Sequence, residues 1–476
     1  MKSPAGISSP SRGHHWLLLG FLLLLPGLAS LSAAVQLASP FTSHMVLQRE
    51  TKVPVWGTAE PGERISVSFA NQNPSTVADP QGNWRVVLNA MPASAQARRF
   101  SLHGSSHPQP VILEDVLVGE VWLASGQSNM DFTLSKKRAW YGGVTDEDAA
   151  VAAADFPQIR MFTGERVMRE TPQTSVRGQW LVCDPENAPG FSAVAYFFAR
   201  DLHQALKVPV GIICLAYGGS TAEAWLRREA LTGEAALKPM LEKFDAANTA
   251  FKATVTDWNQ IEQARLVWER EVVLARKEGR QSKLAGNAAD PTQNNHNPTV
   301  LYNGMIHPVI PYAMRGVIWY QGESIVNGNA GRDLYPTVQA TLVGDWRKLW
   351  AQGDFPFYIV QLAAHNTTAP AVRVAQATIL QLPHTGMAVT IDIGDAKDIH
   401  PRNKKDVGNR LARIALAQTY RQDIEDSGPW IESMHADGTA LRLAFSHAKG
   451  GLVAIGGPLQ TLEIAGADHK FGPHKP

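Results

Sequence analysis

The sequence predicts an α/β protein: an α/β body preceded by a β-sandwich-like module and followed by a short β segment. Three observations predict it. Short alternating apolar runs, broken by turn residues roughly every ten positions, fill residues 35–112. Residues 113–427 then alternate buried-type strands with helical patterns. From residue 428 to the end at 476 the β character returns. A chain of 476 residues has ample material for a large core.

Residues 1–34 read as a signal peptide. Lys2, Arg12, His14 and His15 precede the run WLLLGFLLLLPGL, and Ser32 with Ala34 fit cleavage after Ala34. That run is shorter than the ~20 residues a membrane span needs, so export to a periplasmic or extracellular location is expected, with no stable membrane anchor. In the β module the runs KVPVWG, RISVSFA, NWRVVLN and RRFSLHG are separated by signals such as PG and DPQG. The α/β body begins with VGEVWLAS and VPVGIICLA. With them goes the helical pattern FSAVAYFFARDLHQAL, where Val194, Phe197, Phe198 and Leu202 share a face. Residues 226–290, rich in Ala, Glu, Lys, Arg and Leu, read as a helical insertion. Strands RGVIWYQ, FPFYIVQLA and GMAVTIDIG follow, and the last helix, KKDVGNRLARIALAQTY, aligns Val407, Leu411, Ile414 and Ala415. The runs ALRLAF, GLVAIGG and LEIAG form the terminal β segment over 428–476.

The 44 basic residues nearly balance the 43 acidic ones. So even a charge argues against a nucleic-acid or membrane-surface partner. Two cysteines, Cys183 and Cys214, are too few for a disulfide scaffold, and Cys214 sits in an apolar run. Neither CxxC nor HExxH spacing occurs and the 15 histidines are scattered, so no metal or other cofactor is expected.

Four polar stretches stand at the carboxyl ends of predicted strands, where open α/β sheets place their sites. In VLVGEVWLASGQSNMDF, Gly126 permits a sharp turn that would project Ser128 as a nucleophile, with Gln127 and Asn129 holding the turn. The surroundings are not G-x-S-x-G, since Met130 holds the last position. In YGGSTAEAW, Gly219 would offer a backbone N–H to an oxyanion, while Glu223 and Trp225 would line the mouth or pack. In WYQGES, Gln321 would be a side-chain oxyanion donor and Glu323 a network residue. In DIGDAKDIHPRNK, His400 is the base and Asp398 its acid partner. Singly, each stretch equally suits a polar turn, a tight glycine turn, a solvated loop or a helix cap. Their joint order, each at a strand end, favours a serine hydrolase.

GQSNM, YGGSTAEAW, LYNGMIHPVIPYAMRGVIWYQGES and DIGDAKDIHPRNKKDVGNRLA resemble the signatures of the sialate O-acetylesterase family, a branch of the SGNH (GDSL-like) hydrolases. The resemblance spans most of the chain after the leader. It implies a flavodoxin-like three-layer α/β/α catalytic domain, metal-independent removal of acetyl esters from sugars, and an acetylated sugar or glycan as partner. Position by position it implies Ser128 as nucleophile, an oxyanion hole from the Ser128 and Gly219 N–H groups with Gln321, and His400 as general base and acid. Three departures qualify it. Ile325 stands where relatives commonly carry asparagine; Lys397 stands where the wider superfamily often carries its acid, which leaves Asp398, Asp395 or a Ser–His dyad; and family members continue past FGPHKP with strands of a second β domain, so the segment is expected to be partial. A rival from another class is a catalytically inactive carbohydrate-binding protein on the same fold, using Trp140, Tyr141 and Trp225. A glycoside hydrolase using Glu323 is a third, and gives no reason for Ser128 and Gly219. The particular sugar and the oligomeric state are not encoded in these patterns.

Overall fold

The computed structural model describes residues 35–473, apart from 108, 326–330, 369, 439, 456 and 458–461. The leader read over residues 1–34 lies outside the described residues.

In the amino-terminal module Val53–Thr58 pairs antiparallel with Gln36–Leu37 and Asn83–Leu88. Residues alternate between core and solvent along Asn83–Leu88, as a half-buried strand requires. A second sheet joins Arg64–Ser68, Ser75–Val77 and Ser94–Gly104 to the first half of strand β1, Val111–Gly126. Val55, Ile65, Val67, Leu88, Phe100 and Leu102 fill the space between, each fully buried.

β1 is 16 residues long and belongs to two sheets. From Glu120 onward it pairs in parallel with β4, Val210–Ala216, and from Trp122 with β5, Gly316–Tyr320. With β2 (Phe156–Thr163), β3 (Trp180–Cys183), β6 (Phe357–Val360) and β7 (Thr385–Ala388) the order is β3-β2-β4-β1-β5-β6-β7. All neighbours run parallel except the antiparallel edge strand β3. The run β4-β1-β5-β6-β7 has the flavodoxin order, second-first-third-fourth-fifth along the chain. Helices cover both faces, giving three α/β/α layers. Trp122 meets Phe198 of the helix Ala193–Leu206 on one face, while Trp319 meets Trp346 of the helix Gly331–Trp350 on the other. Continuous burial from Val116 to Gly126 and through β4 explains why these strands read as unbroken apolar runs.

The insertion forms the helices Arg228–Gly233, Lys238–Thr254 and Trp258–Lys277. The sequence run GMAVTIDIG is strand only to Ala388, and Ile391–Ile393 is a 3-10 turn. Thr390 places its hydroxyl on the Gln361 carbonyl at 2.5 Å and Arg410 takes the Val389 carbonyl at 2.5 Å, so the ladder ends there. The terminal β segment holds two antiparallel pairs, Trp430–Asp437 with Ala440–Ser446 and Glu463–Ala465 with Phe471–Pro473. Among the described residues no helix is long and apolar enough to cross a membrane.

Candidate active site

The turn after β1 is set by Gly126, whose φ is 131°; a Cβ there would stand 2.1 Å from the Tyr320 carbonyl oxygen. The chain turns without losing hydrogen bonds, since Gln127 N–H donates to that same oxygen at 2.9 Å. Ser128 then opens the one-turn helix Ser128–Asp131. Its Oγ lies 2.8 Å from Nε2 of His400, a residue 272 positions away in sequence.

His400 sits at the end of the loop leading into the helix Lys404–Ile414. Asp398 Oδ1 accepts the His400 backbone N–H at 2.9 Å and lies 3.8 Å from Nδ1. That separation is an ion-pair contact and too long for a hydrogen bond. Asp395 accepts the Lys397 N–H at 2.8 Å, a local turn. Burial and the Lys404 charge lower the His400 imidazole to about 4, against the opposing pull of Asp398. The ring is therefore neutral at neutral pH, the state a general base needs. Tyr141 stacks on it, ring centroids 5.4 Å apart at 24°.

Gln127 Oε1 accepts the N–H groups of Gly322 at 3.2 Å and Ser324 at 3.4 Å, which ties the nucleophile turn to the WYQGES loop. Asn129 Nδ2 donates to Glu323 Oε1 and, at 3.0 Å, to the Ile399 carbonyl immediately before His400. Burial raises the Glu323 carboxyl, opposed by the Asn129 hydrogen bond. The tight glycine turn lies beside Ser128: a Cβ on Gly218 would stand 3.6 Å from the Ser128 Cβ. Gly219, at φ 72°, directs its carbonyl to Ser324 Oγ at 3.0 Å and His296 Nε2 at 2.8 Å. Gln321 is buried, with its amide nitrogen donating to the Ser220 carbonyl at 3.1 Å and its Oε1 accepting from Tyr335 at 2.9 Å. Trp225 is fully buried against Trp319 and donates to Ser220 Oγ at 3.0 Å, so it supports the glycine turn from behind. Ser128, His400, Asp398, Asn129, Gln127 and Glu323 thus converge, with the Gly218–Gly219 turn alongside.

Several site residues had no sequence reading of this kind. Asp131, in the same helical turn as Ser128, accepts from Tyr141 Oη, Arg166 and Arg276, the last at 3.0 Å to both oxygens. Arg276 comes from the insertion, so that helix is fastened beside Ser128. A cleft of about 200 Å³ opens there, lined by Trp140, Tyr141, Tyr217, Gly218, Val272 and Arg276 among others. Lys404 was also missed, although a lysine in the first turn of a helix runs against the helix dipole and is a flag in itself.

This geometry has counterparts. The carbohydrate esterase, sialic acid-specific acetylesterase family matches residues 118–265 and 285–417, more than half of the chain. The chain belongs to that family. The crystal structure of a carbohydrate acetylesterase from Xanthomonas citri is 32% identical, with a TM-score of 0.72, over 92% of this chain and 88% of that one. Sialate O-acetylesterase of Mus musculus is 29% identical over 473 residues, covering 86% of this chain and 79% of that protein. The Homo sapiens enzyme is 28% identical, over 88% of this chain and 78% of that protein. As a member of the acetylesterase family, the protein is a carboxylic ester hydrolase with O-acetyl esterase function. The α/β body carries the match, and the gap between the two matched segments, 266–284, falls in the second half of the insertion.

Proposed function

We propose that the protein is an exported serine esterase that removes O-acetyl groups from sugars through an acetyl-enzyme on Ser128. The observation that carries this reading is the 2.8 Å contact between Ser128 Oγ and a neutral, partly buried His400 at the cleft. His400 Nε2 takes the hydroxyl proton as Oγ attacks the acetyl carbonyl. The imidazolium returns that proton to the sugar oxygen as the C–O bond breaks, leaving acetyl on Oγ. Water, deprotonated by the same nitrogen, then releases acetate and restores Ser128.

The Ser128 N–H stands in the first turn of a helix, where amides lack intrahelical acceptors; with the Gly219 N–H it would receive the oxyanion. One amide hydrogen of Gln321 is engaged by Ser220, so its second would serve the oxyanion while the first fixes the glycine turn. Asp398, at 3.8 Å from Nδ1, would close on the ring when the imidazolium forms. Aromatic Trp140, Tyr141 and Tyr217 suit a sugar ring, and the sialate and carbohydrate acetylesterase relatives support an acetylated sugar as substrate. Export rests on the leader composition, and a mature amino terminus at Val35 would match it.

Acetate release from 9-O-acetyl sialoside and acetylated xylan, with wild type beside Ser128→Ala, tests the proposal. The variant should lose on the order of 10⁴-fold or more in kcat. A folded Ser128→Ala protein that keeps most of its activity overturns it.

A further inference from the structure

Lys404 is a buried ammonium with no part in the steps above. Its side chain is fully buried, and Nζ donates to Asn129 Oδ1. The ammonium lies 4.6 Å from the Phe132 ring centroid and 5.5 Å from that of Tyr320. Burying a lone cation costs several kcal/mol unless it is paired, and the helix start disfavours positive charge as well. The Lys404 hydrogen bond goes to a neutral amide rather than to a carboxylate, so the placement calls for another reason.

The reason lies in what Asn129 holds. An amide can turn over, exchanging its oxygen for its nitrogen. With Lys404 on Oδ1, only one orientation is possible, and in it Nδ2 faces both Glu323 and the Ile399 carbonyl. Ile399 is the residue whose carbonyl leads into His400. The lysine thereby fixes, through one amide, the loop that carries the base and the residue next to the nucleophile. We propose that Lys404 is a positioning residue for the ester hydrolysis: its ammonium locks Asn129, which locks the His400 loop against Ser128.

The groups facing this pair come from three elements. Glu323 reaches in from the loop after β5 and Asp398 from the loop before the helix, while His365, beyond β6, also bears on His400. Burial pushes the Lys404 ammonium down to about 7, against the opposing pull of Glu323 and Asp398. In the acid range where His400 takes its proton, Lys404 is therefore charged and repels that proton.

The inference rests on Ser128 and His400 as nucleophile and base, so Ser128→Ala is run in parallel. Lys404→Met keeps the length and removes the charge. A second variant, Lys404→Met with Glu323→Gln, guards against misfolding of the first and is compared with Glu323→Gln alone, since Glu323 also holds Asn129. Kinetics on a chromogenic acetate, with thermal unfolding of each protein, give the readouts. In the double variant, and in the single one if it folds, kcat should fall roughly 10- to 100-fold with KM little changed, and the acid limb of kcat/KM should move toward neutral pH. If the double variant regains wild-type kcat and an unmoved acid limb along with its unfolding temperature, Lys404 is structural only and the inference fails. If Ser128→Ala stays active, the fault lies with the catalytic reading instead.

Discussion

At His400 burial and the Lys404 charge act together, and Asp398 opposes them. Burial and Lys404 hold the ring down to about 4, from an ordinary 6.5. The acid limb of kcat/KM should accordingly fall near pH 4 rather than in the usual histidine range, measurable in a simple pH series on the wild type. The same shift acts on stability. The unfolded chain takes up the proton first, so this contribution is complete above about 6.5 and is lost as pH falls toward about 4. Asp398 is a weaker partner, more than half exposed and 3.8 Å from Nδ1. Asp398→Asn should cost roughly 10²-fold or less in kcat, and His400→Ala on the order of 10⁴-fold or more; equal losses would make the acid a full triad member already in the free enzyme. The Ser128–His400 contact joins two polar stretches visible in the sequence, GQSNM directly after a strand and DIGDAKDIHPRNK after an apolar run. The contacts of Lys404 and Asp131 show only in the fold: Lys404 reaches Asn129 across 275 residues and Arg276 reaches Asp131 across 145. Composition around position 404 gives no hint that one lysine of the pair KK is buried and the next is exposed.

Among the elements, the insertion has the least legible role and a definite position. Its helical character shows in Ala, Glu, Lys and Arg content, yet those residues also describe a solvated helix, and Glu262 with Arg265 is a pair of that kind. What composition does not reveal is that Trp258–Lys277 brings Val272 and Arg276 to the cleft beside Ser128. Arg276→Met should therefore act mainly on substrate binding. KM for an acetylated glycan should rise several-fold, while turnover of a small chromogenic acetate, which needs no cleft wall, should change little. A matching loss on both substrates would mean that Arg276 serves the nucleophile turn through Asp131 instead. The strands tell the opposite story. Period-2 alternation in the β module and unbroken apolar runs in the central sheet each follow from burial on one face or on two. The exception is GMAVTIDIG, whose apolar residues continue past Ala388 although Arg410 and Thr390 have already claimed the backbone and its neighbours.

For the whole molecule, the sequence boundary near 112 falls just inside a strand rather than in a linker. The change in patterning comes a few residues later along the same strand: up to Gly119 it pairs with strands of the module, and from Glu120 onward with strands of the central sheet. The polypeptide itself does not pause. Aromatic residues of the α/β body also reach back into the module: Tyr312 donates to the Val46 carbonyl at 2.8 Å and Trp180 to the Pro40 carbonyl at 2.8 Å.

One strand that begins in a sandwich and ends at the Ser128 turn leaves no hinge between scaffold and site. Calorimetry should therefore find the module and the α/β body melting in a single cooperative transition, and two resolved peaks would contradict this. It also bears on how such a protein can change over evolutionary time. Two domains joined by a linker can be recombined with new neighbours. Here an exchange of the sandwich would cut the strand that aims the serine, so the two parts are inherited together.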